Sequence, residues 1–265
     1  MIQNVKLFVN ENLKSIEVAK VVKKQFNNNG FNIVSDNFDL GIAIGGDGSF
    51  LRMIKNSSFS SKPYYVGINS GTLGFMQEVK INEIDKFIDE KKKKKYFVDV
   101  IGIQETKITH RGGDSNFCSL NEIVIRDENF KLFKSAISIN NPSGFLEMFT
   151  GDGVLIATSS GSTAHNLSYG GSIVFPSFST LQITPLGPIN SKSYRTISNS
   201  IIVPDHNKII IRPMNKDLMI TIDGENNIYN DVDNITTEVA DKKIKCLRFS
   251  HYNFPQKINE KLISN

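Results

Sequence analysis

The first hundred residues switch repeatedly between two hydrophobic periods. Val5 to Val9 reads as a strand, and Leu13, Ile16, Val18, Ala19, Val22 and Phe26 then recur at helical spacing up to Asn29-Gly30, a natural helix end. Phe31 to Val34 and Leu40 to Ile44 are short continuous apolar runs, as expected of parallel strands buried on both faces. A Gly-rich turn follows, then a short helix through Leu51 and Met53, a strand over Tyr64 to Ile68 and a helix over Ile81 to Glu90. This β-α-β rhythm predicts a three-layer α/β domain over residues 1–100.

After about residue 96 strand patterns dominate: Phe97 to Thr109, Leu120 to Ile125, Ala136 to Ile139, Val154 to Thr158, Ser200 to Val203, Lys208 to Arg212 and Leu218 to Ile222. Helical periodicity is nearly confined to Ser162 to Leu167. The pattern predicts an all-β C-terminal domain over 101–248. The stretch Phe249 to Leu262 predicts a short helix from Pro255 onward, since Pro suits a first helical turn, with residues 249–265 packing back on the first domain. No internal repeat or low-complexity linker interrupts the chain, so the two domains are expected to share a tight interface, with the active site in the cleft between them.

Composition narrows the class. Among 265 residues, 39% are hydrophobic and 22% charged, which excludes global disorder. A net charge of +4, from 31 basic and 27 acidic residues, suits anionic substrates without demanding nucleic acid. The run Lys91 to Lys95 reads as a solvated helix end after Glu90. Two cysteines, Cys118 and Cys246, make no disulfide framework. No basic region precedes a long apolar stretch at Met1-Ile2-Gln3-Asn4, and no apolar run reaches membrane-spanning length. A cytoplasmic protein is expected, with neither membrane nor nucleic acid as partner.

Six punctuated segments carry candidate chemistry. In Ile42 to Leu51 an apolar strand runs into Gly45-Gly46-Asp47-Gly48 and then a helix. Glycines there let backbone amides approach phosphate oxygens, and the helix start adds positive potential. Asp47 stands where open α/β sheets bind ligands, and its carboxylate could hold Mg²⁺ or accept a hydroxyl proton; equally, it could cap the helix. Gly67 to Met76 is again a strand followed by a Gly-rich loop, in which Phe75 could wall an aromatic base or be a buried loop residue. Asn121-Glu122 opens an apolar strand; Glu122 could accept from a ribose diol, and Asn121 could donate and accept, or it could be a turn residue. Gly151 to Ser168 leads through a Ser/Thr/Gly loop into a helix capped by Ser162 or Thr163, with small polar groups suited to an adenine edge. Pro185 to Ile189 reads as a rigid loop. In Thr221 to Glu225, Asp223-Gly224 reads as a hairpin turn.

Taken together, Gly45-Gly46-Asp47-Gly48, Asn69-Ser70-Gly71-Thr72-Leu73-Gly74-Phe75, Asn121-Glu122, Gly161-Ser162-Thr163-Ala164 and Thr184-Pro185-Leu186-Gly187-Pro188 resemble, in order and rough spacing, the motifs of bacterial NAD kinases. The resemblance covers about residues 40 to 225, and the tail with Phe254-Pro255 is similar to the family's C-terminal helix. It implies that Asp47 is the catalytic aspartate beside the ribose 2′-hydroxyl of NAD, with Gly46 and Gly48 in the ATP-phosphate and metal region. Asn121 and Glu122 would lie around the adenosine, and Phe75, Ser160, Thr163 and Ala164 around the adenine. Asp152 and Ser168 would reach the nicotinamide side. His165, where the family usually has Tyr, could stack on the adenine, and Ile189 and Asp223 complete the nucleotide-binding set. Two further departures are Ser49 for Thr and Ser159-Ser160 for Pro-Thr. The resemblance also implies Mg²⁺ or another divalent metal acting with ATP, no dedicated protein metal site, and a homodimer or homotetramer. Two rivals remain: a lipid kinase sharing Gly-Gly-Asp-Gly, against which the polar loop Ser159 to Ser168 argues, and a dinucleotide-binding regulator, which would have no need of Asp47.

Overall fold

The computed structural model describes residues 2–71, 74–249 and 253–264. They form two compact units, one made of residues 1–101 and 243–265, the other of residues 102–242.

The first unit opens with β1 (Asn4–Val9) and α1 (Leu13–Asn28). Asn12 starts α1, its side chain accepting from the amide of Ser15 at 2.8 Å, and Ser15, Val18, Val22 and Phe26 form its buried stripe. Then come β2 (Asn32–Ile33), β3 (Leu40–Gly45), α2 (Asp47–Asn56), β4 (Tyr64–Asn69), β5 (Val79–Lys80) and α3 (Ile84–Lys92). The strands pair in parallel in the order β2, β1, β3, β4, with β5 on the end of β4. All six residues of β3 are buried, as its unbroken apolar run requires. Its alternate residues face opposite ways. Leu40, Ile42 and Ile44 join the core beneath α1 and α3, while the other side, at Gly41, meets Met53 of α2. The three layers follow from that alternation. Phe31 to Val34 yields only the two residues of β2 in strand geometry, because β2 pairs on one side alone and its Asn32 is exposed.

The second unit takes β6 (Tyr96–His110) from Gly102 onward, β7 (Gly113–Ser119), β8 (Glu122–Asp127), β9 (Phe133–Ile139), β10 (Phe145–Gly151), β11 (Gly153–Thr158), the one-turn α4 (His165–Ser168), β12 (Thr180–Leu186), β13 (Ile201–Pro204), β14 (Ile209–Pro213), β15 (Leu218–Ile222), β16 (Glu225–Tyr229) and β17 (Val232–Phe249) as far as Lys242. One sheet runs β13, β12, β11, β8, β15, β16, all antiparallel. Against it stand β10, β9, β14 and the first part of β17. The alternating inward residues of both sheets, among them Ile123, Ile156, Ile183 and Ile220 facing Phe133, Phe149, Ile211 and Ile235, share one core. This is the all-β architecture expected, with four corrections. Pro185 and Leu186 belong to β12, paired with Val154 and Gly153, so the rigid loop begins only at Gly187. Segment 160–163 is a 3₁₀ turn, and α4 starts from Ala164 with no side-chain cap, so neither Ser162 nor Thr163 caps it. The continuous strand β17 was not visible in the pattern. Finally, residues 243–248 belong with the first unit, because β17 continues past residue 242 and pairs in parallel with β4 through Lys245 and Cys246, sending Leu247 and Phe249 into the first core. The chain then forms α5 (Phe254–Ile258), with Pro255 in its first turn as anticipated and Asn253 as its cap; Ser250 to Tyr252 lie outside the described residues.

Candidate functional site

In the first unit, β3 and β4 end side by side, and the glycine-rich segments follow them. Gly46 is the N-cap of α2 and Asp47 its first residue, so Asp47 does not cap the helix. Its carboxylate instead accepts the amide of Phe75 on Oδ2 at 2.8 Å and that of Met76 on Oδ1 at 3.0 Å. Gly74 makes this approach possible, since a Cβ there would overlap the Asp47 carboxylate. Each oxygen keeps a lone pair. At Gly46 and Gly48 the situation is reversed: a Cβ would meet nothing within 4 Å, so packing does not demand glycine there. Both are exposed at the start of α2, where amides and helix dipole favour an anion. Below them Ser49 is buried, taking Asn10 Nδ2 at 3.1 Å and Arg52 Nη2 at 3.4 Å on its hydroxyl. The half-buried Phe75 packs against Phe254 of α5, ring centroids 6.4 Å apart. Thr72 and Leu73 lie outside the described residues.

In the second unit, Asp223 and Gly224 form the two-residue turn between β15 and β16, with φ of 46° and 89°. The Asp223 carboxylate reaches back to the amides of Leu120, Asn121 and Glu122 at 2.7, 2.8 and 3.2 Å. This fixes the backbone of Asn121 and Glu122 at the start of β8. Thr158 and Gly161 close around the same point. The Thr158 amide donates to the Asn121 carbonyl, and a Cβ on Gly161 would overlap that carbonyl. Asn121 is 7% exposed and Glu122 6% exposed, yet Asn121 Oδ1 and Glu122 Oε2 meet no partner among the described residues. Buried polar atoms are nearly always bonded, so these two adjacent residues, like Gln77 and several others, keep hydrogen-bonding capacity that the described residues do not use. Burial, reinforced by Asp223, pushes the Glu122 carboxyl up to about 8, with only the His165 amide opposing. Burial raises the Asp223 carboxyl too, while its three amides oppose that shift and favour the ionised form.

The 3₁₀ turn places Ser160, buried, and Thr163 and Ala164, half-buried, beside this pair. His165 is exposed; its ring lies 5.0 Å from that of Tyr169, whose hydroxyl takes Arg126 Nη2 at 2.6 Å. Burial and then Arg126 hold the His165 imidazole below its ordinary value, so it is neutral at pH 7. Ser168 is exposed on α4. Asp152 and Ile189 stand elsewhere. Asp152 precedes β11, five residues before Ala157, which pairs with Glu122; at strand rise that is roughly 17 Å away. Ile189 is tied to Thr150 near the same end. The unit therefore gathers Asn121, Glu122, Ser160, Thr163, Ala164, His165 and Asp223 together, and not Asp152 and Ile189. Two roles escaped the sequence, the amide clamps of Asp47 and Asp223. Both join residues far apart in the chain, and only the acidic residues beside glycine hinted at them.

A parallel α/β unit with an open glycine turn at its strand ends, and a β-rich unit with an unsatisfied Asn-Glu pair, describe a nucleotide-binding protein of two units. Comparison with known proteins narrows this. Residues 1–96 match the family model of the ATP-NAD kinase N-terminal domain, and residues 120–249 that of the ATP-NAD kinase C-terminal domain. The NAD kinase of Finegoldia magna is 38% identical over 256 residues, covering 92% of each chain, and that of Staphylococcus aureus is 31% identical over 235 residues, covering 87% of each. In fold the chain is similar to yeast NADH kinase complexed with NADH (TM-score 0.86, 21% identity, 100% of this chain and 89% of that one). It is also similar to an NAD kinase from Archaeoglobus fulgidus in complex with ATP (TM-score 0.76, 19% identity, 98% of each). The chain belongs to the ATP-NAD kinase family, and is an enzyme that phosphorylates NAD at the expense of ATP.

Proposed function

We propose that this kinase transfers the γ-phosphoryl group of ATP to the 2′-hydroxyl of the adenosine ribose of NAD, forming NADP, with Asp47 as its catalytic carboxylate. The observation that carries the acceptor assignment is the open pair Asn121 Oδ1 and Glu122 Oε2. A ribose diol offers hydroxyls that both donate and accept. Asn121 Oδ1 takes a donated hydrogen, and Glu122, holding its proton near neutral pH, gives one back. Ser160, Thr163 and Ala164 serve the adenine edge, with the neutral His165 stacking. Asp47 has lone pairs left after its two amides, and through one of them it orients and deprotonates the attacking hydroxyl. Gly46 and Gly48 leave the α2 N-terminus open to the donor phosphates. Phosphoryl transfer asks for alignment and charge stabilisation more than for covalent chemistry, and that is what these groups supply.

A divalent cation such as Mg²⁺ neutralises the donor phosphates when bound. Among the described residues no group of three His, Cys, Asp or Glu side chains could hold a metal. Magnesium prefers phosphates and water over protein cages, and a cation arriving on ATP would meet the lone pairs that Asp47 keeps beyond its two amides. The reading extends to a homodimer or homotetramer in the cytoplasm; no helix among the described residues is long and apolar enough to cross a membrane.

The test is product analysis. With NAD and Mg-ATP the enzyme should yield a 2′-phosphate by phosphorus NMR, and diacylglycerol or a sphingoid base should not react. A 3′-phosphate, or a lipid alcohol turned over as fast as NAD, would overturn the assignment and restore the lipid-kinase alternative.

A further inference from the structure

The segment that Asp47 holds by its amides is held on its other side by the C-terminal helix. Lys257 Nζ of α5 donates to the carbonyl of Gln77 at 2.8 Å, to Glu78 Oε2 at 3.1 Å and to the carbonyl of Phe75 at 3.4 Å. Phe75 and Met76 give their amides to Asp47. One peptide group, joining Phe75 to Met76, therefore turns its carbonyl to an ammonium and its N–H to a carboxylate. A hydrogen-bonded chain polarised from both ends is stronger than its separate links. Phe254, three residues before Lys257 and so on the same side of α5, is 8% exposed and packs on the Phe75 ring. One helix face thus grips the ring, the carbonyl and the following residues of a single segment.

Glu78 does not depend on the ammonium alone. Glu78 also has Arg248 Nη1 at 3.6 Å and the amide of Phe249 at 2.9 Å, and Arg248 bonds Asp99 at 3.2 Å. Burial depresses the basicity of Lys257, with Glu78 opposing, so the charge is kept there at a desolvation cost. An apolar side chain of similar length would fill the same volume without that cost. What the ammonium adds is direction, since it fixes where two carbonyls of the segment point.

We propose that Lys257 is a positioning residue for the catalytic carboxylate. By fixing the carbonyl side of residues 75–78 it holds the amides of Phe75 and Met76 in place, and these keep Asp47 in the one orientation aligned on the acceptor hydroxyl. The inference rests on the reading of Asp47 as catalytic.

Steady-state kinetics with NAD and Mg-ATP, NAD affinity and thermal melting test it in four variants: Asp47→Asn, Lys257→Met, Lys257→Arg and the double variant Glu78→Gln/Lys257→Met. Lys257→Met should lose roughly 10- to 100-fold in kcat, as misplacements on the ångström scale do, with KM for NAD changed less than about twofold. Lys257→Arg should restore most of the loss, because it can still donate to the carbonyls. The double variant leaves no buried Glu78 charge behind, so it should recover the melting temperature of the parent but not its kcat. Recovery of both together would make Lys257 an ordinary structural ion-pair partner and overturn the proposal, as would an unchanged kcat in Lys257→Met. If Asp47→Asn itself keeps its kcat, it is the underlying catalytic reading that falls. An inactive Asp47→Asn beside a fully active Lys257→Met removes the positioning role alone.

Discussion

In the first unit a carboxylate gathers the amides of Phe75 and Met76; in the second, another gathers those of Leu120, Asn121 and Glu122. Both aspartates are half-buried beside a glycine, Asp47 before Gly48 and Asp223 before Gly224, and both fasten a loop distant in sequence. The difference lies in what remains free. Asp47 uses one lone pair on each oxygen and sits at a helix start whose glycines face open space. Asp223 takes three amides inside a tight turn with φ of 46°, and the unsatisfied atoms belong to the residues it holds. On the function proposed above, the same clamp would in one case poise the clamping carboxylate itself and in the other present someone else's side chains. An acidic residue next to glycine is therefore not by itself a sign of catalysis.

Four experiments would break or sharpen that contrast. Asp47→Asn keeps size and one acceptor oxygen but loses the base, so kcat should fall by about 10² or more while NAD still binds; a near-normal kcat with only a raised KM would leave Asp47 as a mere loop fastener. Asp223→Ala strands three amides that had a charged acceptor. It should cost about 2–4 kcal/mol in urea unfolding and raise KM for NAD more than it lowers kcat. A kcat loss matching that of Asp47→Asn would place Asp223 in the chemical step and erase the distinction.

The third experiment is a pH series. The folded chain holds the Glu122 proton more tightly than the unfolded chain, with a value raised from 4.5 to about 8. More protons are then bound in the folded state across this interval, so ligand-free stability should fall as pH rises from about 4.5 towards about 8, by on the order of 4 kcal/mol. Glu122→Gln should flatten that slope in melts run across the range; an unchanged slope would show that the proton is not on Glu122. The smallest effect is expected of Gly48→Ala. Ala suits a helix better than Gly, so stability should hold or rise by up to about 1 kcal/mol, while KM for ATP rises severalfold because the methyl enters the space left for phosphate. Unchanged ATP kinetics would mean that the opening at α2 is not used.

Much of the scaffold was legible because its signals are local. The unbroken run Leu40 to Ile44 gave β3, Asn29-Gly30 ended the first helix one residue after Asn28, and Asp223-Gly224 showed its hairpin. β17 escaped because Asp241, Lys242 and Lys243 interrupt its middle, where the first two are exposed, and its two ends serve different cores. β10 and β12 were missed for a similar reason: exposed Phe145 and Met148 blur the alternation in one, and buried Gln182 and Thr184 dilute the apolar signal in the other. Of the candidate site, the residue types were readable and the distances were not. That Asp47 fastens Phe75, that Asp223 fastens Asn121 and that Lys257 reaches the Phe75 carbonyl are long-range facts, with no periodicity to announce them.

The return of β17 to β4 also dictates an order of events during synthesis. Leu247 and Phe249 belong to the core that Val5, Val22 and Ile42 begin, and Lys245 and Cys246 complete the flank of β4. The stretch from Gly102 to Lys242 is translated in between, so at ribosomal rates of 5–20 residues per second the amino-terminal half-domain waits roughly 7–28 s for its last strand. Throughout that interval Tyr64 and Tyr65 stand on an unpaired strand edge, a template for adventitious pairing with other nascent chains. The intervening β-rich unit is contiguous and can mature first. Slow codons within residues 102–242 would lengthen the exposure, and chaperone dependence in the cell should track the speed at which that insert is made rather than the stability of the finished enzyme.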